Sequence, residues 1–108
     1  MIETHSHGDT LVVRIHEKRL DASISPALKV ELWELVAQHS GCPLILDLGE
    51  AEFMDSSGLG VMISLLKLLG AEGDLKLTGV QGAVAQTFKL TRMDRVFPMY
   101  PNVDAALA

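Results

Sequence analysis

The chain has 108 residues, of which 48% are hydrophobic and 21% charged, so a packed core is within reach and a disordered chain is excluded. Nine basic residues stand against fourteen acidic ones, a net charge of −5 with no basic cluster, which argues against direct nucleic-acid binding. Cys42 is the sole cysteine, so no intrachain disulfide forms, and a reducing compartment, most simply the cytoplasm, is expected.

The N-terminus, MIETHSHGDT, lacks the basic and apolar segments of a signal peptide. The longest apolar stretch, Leu59 to Leu69, is broken by Gly60, Ser64 and Lys67 and is too short for a membrane span, which takes about 20 residues. No repeat or linker divides the chain, and residues 1–108 are expected to form one domain.

Ile2–Ser6 reads as a weak strand, His7-Gly8-Asp9 as a turn, and Thr10–His16 as a second strand, together a hairpin. A first helix is predicted after Ser25-Pro26, with Ser25 as its N-cap, an apolar stripe of Leu28, Leu32, Leu35 and Val36, and Gly41 as its stop. Trp33 lies off that stripe and is assigned to helix packing. Pro43–Leu48 is almost continuously apolar, as in a strand buried on both faces, and Cys42 at its start reads as a small buried hydrophobe.

A second helix is predicted from Ser56 or Ser57 to Leu69, bracketed at its exit by Gly70 and Gly73. Asp74–Gly79 alternates like a strand. Val84, Phe88 and Leu90 suit a short third helix beginning near Gly82. Val96–Tyr100 completes the strands, and Asn102 caps a last turn over Val103–Leu107. The order β-β-α-β-α-β-α-β-α predicts an α/β domain with a mixed central sheet flanked by helices.

The chemistry concentrates in Asp55-Ser56-Ser57-Gly58, between a strand and a very apolar helix. Helix N-termini leave N–H groups unpaired, and Asp or Ser satisfies them, so an ordinary cap is the simplest reading. Yet three consecutive residues are competent to cap, and the helix behind them has no polar face. Leu59 and Met62, near its start, are therefore expected to be partly exposed as a protein-binding surface.

Other constellations are weak. The serines lack the leading glycine of a G-x-S-x-G elbow, and His5, His7, His16 and His39 have no evident catalytic partner in sequence. His5-Ser6-His7 offers two ligands where a stable zinc site needs three or four, so a solvated strand is expected there. Gly58-x-Gly60 is too short for a dinucleotide fingerprint, and its glycines are assigned to close helix approach.

The run Phe53–Val61, FMDSSGLGV, resembles the signature of bacterial anti-sigma factor antagonists, the free-standing STAS domains. Leu20-Asp21 before the first helix, LILDL at Leu44–Leu48, Asp74–Thr78 and Val84–Phe88 extend the resemblance over nearly the whole chain. It implies the STAS fold and a regulatory, non-catalytic protein without cofactor or metal. It further implies binding to an anti-sigma factor that is also a serine kinase, release of a sigma factor, phosphorylation of Ser56 and restoration by a PP2C-type phosphatase. Asp21, Ser23, Asp55, Ser57, Gly58, Leu59 and Met62 would then lie on the partner surface. Lys18 stands where the family often has glycine, and Glu50, Glu52 and Asp55 crowd the acceptor in sequence. The competing readings are a STAS module of a lipid-transport or stressosome-like assembly, and a small-ligand or nucleotide sensor.

Overall fold

The computed structural model describes residues 1–69 and 75–108. Strands β1 (Ile2–His7) and β2 (Thr10–Ile15) form an antiparallel hairpin across the two-residue turn Gly8-Asp9, and Gly8 takes a positive φ of 60°. β3 (Arg19–Leu20) then leads to α1 (Ser25–Gln38), β4 (Leu44–Asp47), β5 (Phe53–Met54) and α2 (Ser56–Leu69). β6 (Leu75–Thr78), α3 (Gly82–Leu90), a 3₁₀ turn at Met93–Arg95, β7 (Met99–Tyr100) and α4 (Val103–Leu107) follow. The main sheet has the order β1-β2-β4-β6-β7, antiparallel only at β1–β2. β3 and β5 pair in parallel as a separate ribbon.

The period-2 geometry of strands divides the core. Leu11, Val13 and Ile15 of β2, Leu44 and Leu46 of β4, and Leu75 and Leu77 of β6 meet α1, α2 and α3 on one face. Val12 and Ile45 point the other way, where Ala106, Val103 and Leu107 of α4 and Tyr100 of β7 pack with them. Leu44, Ile45 and Leu46 are all buried, as a strand with both faces covered requires.

Several expectations are corrected. Ser25 is not the N-cap of α1: Ile24 holds that position without a side-chain cap, and the Ser25 hydroxyl donates to the Asp21 carbonyl at 2.7 Å. α1 ends at Gln38, before Gly41. The β7 strand is only Met99–Tyr100, because Met93–Arg95 winds into a 3₁₀ turn. Cys42 is half-buried in the turn before β4. Leu90, the last residue of α3, is 83% exposed. Gly70, Gly73 and Asp74 lie outside the described residues. Asn102 caps α4 as expected, accepting from the Ala105 N–H at 2.8 Å. No described helix is long and apolar enough to cross a membrane.

A charged brace closes the open end of the hairpin. His16 Nε2 meets Glu3 at 2.8 Å and His16 Nδ1 meets Glu50 at 2.5 Å, tying β1 to the loop after β4. Hydrogen bonds to Glu3, then Glu50, raise the His16 pKa above its ordinary value of 6.5. Hydrogen bonds to His5, then His16, lower that of Glu3 below 4.5. The raised His16 stabilises the fold fully below its unfolded pKa and loses that effect as pH rises through its folded pKa. The lowered Glu3 stabilises above its unfolded pKa and loses that effect as pH falls through its folded pKa. Chemical denaturation should therefore find His16→Gln less stable than wild type at about pH 5.5, with the gap closing by about pH 9.

Candidate functional site

The site is built where the β3–β5 ribbon meets the start of α2. The Lys18 carbonyl accepts from the Glu52 and Phe53 N–H groups at 2.7 and 3.1 Å, and the Leu20 carbonyl accepts from Asp55 N–H at 3.3 Å. These bonds lock β3 and the residue before it to the segment entering α2. Two-residue strands carry no periodicity, so neither β3 nor β5 is visible in the sequence.

Asp55 is the cap of α2. Its Oδ1 accepts from the N–H of Ser57 at 2.8 Å and of Gly58 at 3.2 Å, while its carbonyl accepts from Leu59 N–H at 3.0 Å. Of the three cap-competent residues, the aspartate takes the role, and the serine side chains are left out of it. Ser56 is exposed at the first position of the helix, and its hydroxyl makes no hydrogen bond among the described residues. Ser57 is half-buried and lines an open groove of about 460 Å³ with Ala22, Ser25, Pro26, Lys29, Gly60 and Ser64, between the first turns of α1 and α2.

The neighbouring loop is fixed by its own network. Asp21 Oδ1 accepts from the Ser23 hydroxyl at 2.5 Å and the Ser23 N–H at 3.0 Å, and Arg19 Nε donates to Asp21 Oδ2 at 3.3 Å. The Ser23 hydroxyl, its N–H and then Arg19 lower the Asp21 pKa. Arg19 also stacks its guanidinium 4.2 Å from the centroid of Phe53, which bridges the ribbon. Arg19 and Phe53 escape a reading by motif, since stacking between chain-distant residues leaves no local pattern.

Asp21, Ser23, Asp55, Ser56 and Ser57 thus lie on segments that the ribbon holds together. Leu59 and Met62 do not join them at the surface. They are 6% and 0% exposed and belong to the core, as does the buried Gly58. The apolar excess of α2 is absorbed by the sheet, and its exposed leucine is Leu68 near the C-terminal end. The acidic crowd is also dispersed: Glu50 is held by His16, and Glu50 and Glu52 line a separate cavity of about 470 Å³ with Lys18, Gln81 and Gly82. Among the described residues no group of three or more His, Cys, Asp and Glu could hold a metal ion, and His5 instead meets Glu3.

A model of the STAS domain family matches residues 1–106. The chain belongs to the STAS domain family. An anti-sigma F factor antagonist of Paenibacillus polymyxa is 29% identical over 107 residues, 98% of this chain and 91% of that protein. An anti-sigma-B factor antagonist of Listeria monocytogenes is 32% identical over 89 residues, 82% and 76% of the two chains. The crystal structure of an anti-sigma factor antagonist from Mycobacterium paratuberculosis superposes with a TM-score of 0.88 at 30% identity, covering 99% of this chain and 90% of that one. These relatives carry the names of regulators and not of enzymes.

In this STAS chain the two glycines of α2 differ in kind. A Cβ on Gly58 would stand 2.3 Å from the Leu20 carbonyl oxygen, a backbone atom that cannot turn aside, whereas Gly60 has nothing within 4 Å. Gly58→Ala should lower stability by at least ~1–3 kcal/mol in denaturant titration. Gly60→Ala should raise it by up to ~1 kcal/mol, the helix-propensity difference. Asp55→Ala should cost ~0.5–2 kcal/mol through the lost cap, read as a fall of several degrees in Tm, while Asp55→Asn keeps most of it.

Proposed function

We propose that this chain acts in the cytoplasm as an anti-sigma factor antagonist, residues 1–108 working as one STAS unit with no catalysis of its own. Its unmodified form binds an anti-sigma factor that is also a serine kinase, and a sigma factor is thereby released. The kinase transfers a phosphoryl group from ATP to Ser56, forming an Oγ–P bond as ADP leaves, and a PP2C-type phosphatase hydrolyses it. The observation that carries this reading is the free Ser56 hydroxyl, exposed on a helix end whose neighbours are all fixed. The names borne by the relatives support the class of partner.

Phosphorylation adds about −1.5 to −2 charges at neutral pH. Helix N-termini favour an anion by ~0.3–1 kcal/mol at exposed sites. Here, however, Asp55 already occupies two of the N–H donors that a phosphate would seek. The phosphate therefore sits beside a carboxylate, and the two anions repel by a comparable, solvent-screened amount. Within the free protein these effects nearly cancel. At a docked surface water is expelled, and the same charge becomes costly.

With the cognate kinase and ATP, wild type and Ser57→Ala should be labelled and Ser56→Ala should not. Label mapped to Ser57 would overturn the assignment. The phosphorylated protein should melt within a few degrees of the unmodified form and confine its amide NMR shifts to the Asp55 loop and adjoining turns. Its affinity for the anti-sigma factor should fall by ~30- to 1,000-fold, equivalent to ~2–4 kcal/mol.

A further inference from the structure

The exit of α3 presents a second feature that the Ser56 site does not use. Leu90 is 83% exposed and Val96, just beyond the 3₁₀ turn, is 48% exposed. Lys89, Arg92 and Arg95 surround them in sequence, with Asp94 the single acidic residue between. Three of the nine basic residues thus fall within seven positions of a chain whose net charge is −5. None of the three takes part in the ion pairs among the described residues.

The exposure of this elbow does not come from fraying. Phe88 and Phe97 pack edge to face beneath it, with ring centroids 5.5 Å apart. Thr91 N–H bonds to Thr87, Arg92 N–H to Lys89, Arg95 N–H to Arg92 and Val96 N–H to Met93. Arg92 itself has φ 61°, the left-handed conformation that glycine adopts most readily at a helix end. An arginine there carries a conformational cost for a charge that has no ion-pair partner among the described residues.

The elbow also adjoins the Ser56 site. Thr87 Oγ1 donates to the Met54 carbonyl at 3.1 Å, so α3 crosses β5 two residues before Ser56, and Leu90 follows one helical turn later. We propose that Leu90, flanked by Lys89, Arg92 and Arg95, is a docking element for an apolar depression with an acidic rim on the anti-sigma factor. This rests on the reading of the chain as an anti-sigma factor antagonist. An anionic lipid surface would meet the same cations, but it repels a chain of net charge −5, and the patch holds only two aliphatic side chains and no aromatic anchor.

Three variants test it without disturbing the core: Leu90→Ser, Arg92→Gly and Arg95→Glu. Each is titrated against the purified anti-sigma factor at about 50 and 200 mM salt, alongside a melting curve. Leu90→Ser and Arg92→Gly should each weaken binding by about 5- to 50-fold at unchanged or, for Arg92→Gly, raised Tm. Arg95→Glu should weaken it most at low salt and flatten the salt dependence. Binding within about twofold of wild type for all three would overturn the proposal while leaving the Ser56 reading intact. A wild-type chain that neither binds nor is labelled would sink both. Sedimentation with vesicles of about 30% phosphatidylglycerol in phosphatidylcholine, lost in Leu90→Ser while anti-sigma factor affinity holds, would overturn it in favour of a lipid surface.

Discussion

The closest constraint in the molecule is the approach of the first turn of α2 to the backbone of Leu20. No side chain fits between them, and Gly58 is the consequence. That contact fixes where the helix begins relative to the β3–β5 ribbon. It thereby brings the Asp21–Ser23 loop to the same end of the molecule as Ser56. The Asp55 cap, the Arg19–Phe53 stack and the hydrogen bonds from Glu52, Phe53 and Asp55 to the strand opposite all presuppose it. A site assembled from segments more than thirty residues apart therefore depends on one missing methyl group.

This arrangement makes Asp55 and Ser56 different in kind, although they are adjacent. Asp55 is committed to the helix and holds two of its N–H groups. The Ser56 hydroxyl makes no hydrogen bond among the described residues. A change at Asp55 removes a helix cap, whereas a change at the Ser56 hydroxyl breaks no hydrogen bond among the described residues. Holding the helix end and presenting an unbonded hydroxyl thus fall to neighbouring positions.

Most of the order of elements is legible in the sequence: β4 and α2 stand out as apolar runs of strand and helix length, and Asn102 announces α4 by its chemistry. The placement of Ser56 on the helix end also follows from the sequence. The burial of Leu59 and Met62 does not, because an all-apolar helix has two explanations, an exposed face or burial on every side. The second holds for these residues: Leu59, Val61, Met62 and Leu65 of α2 join the side chains of β2, β4 and β6 in one core. Leu90 shows the opposite case, an apolar helix residue left in solvent. It shares the apolar character of Val84 and Phe88, but α3 ends at that turn, and nothing beyond it remains to cover the last leucine. The ribbon escaped notice because two residues are too few to show alternation.

The hairpin has a consequence for life at high concentration. β1 pairs on one side only, so its outer edge offers unpaired backbone groups to any extended chain that drifts past. Five of its six residues are exposed, and Glu3, His5 and His7 alternate with Thr4 and Ser6 along it. An incoming strand would have to strip water from carboxylate and imidazole groups while gaining no apolar contact in return. The edge is thus guarded by hydration, and the sheet can end there without seeding a fibre.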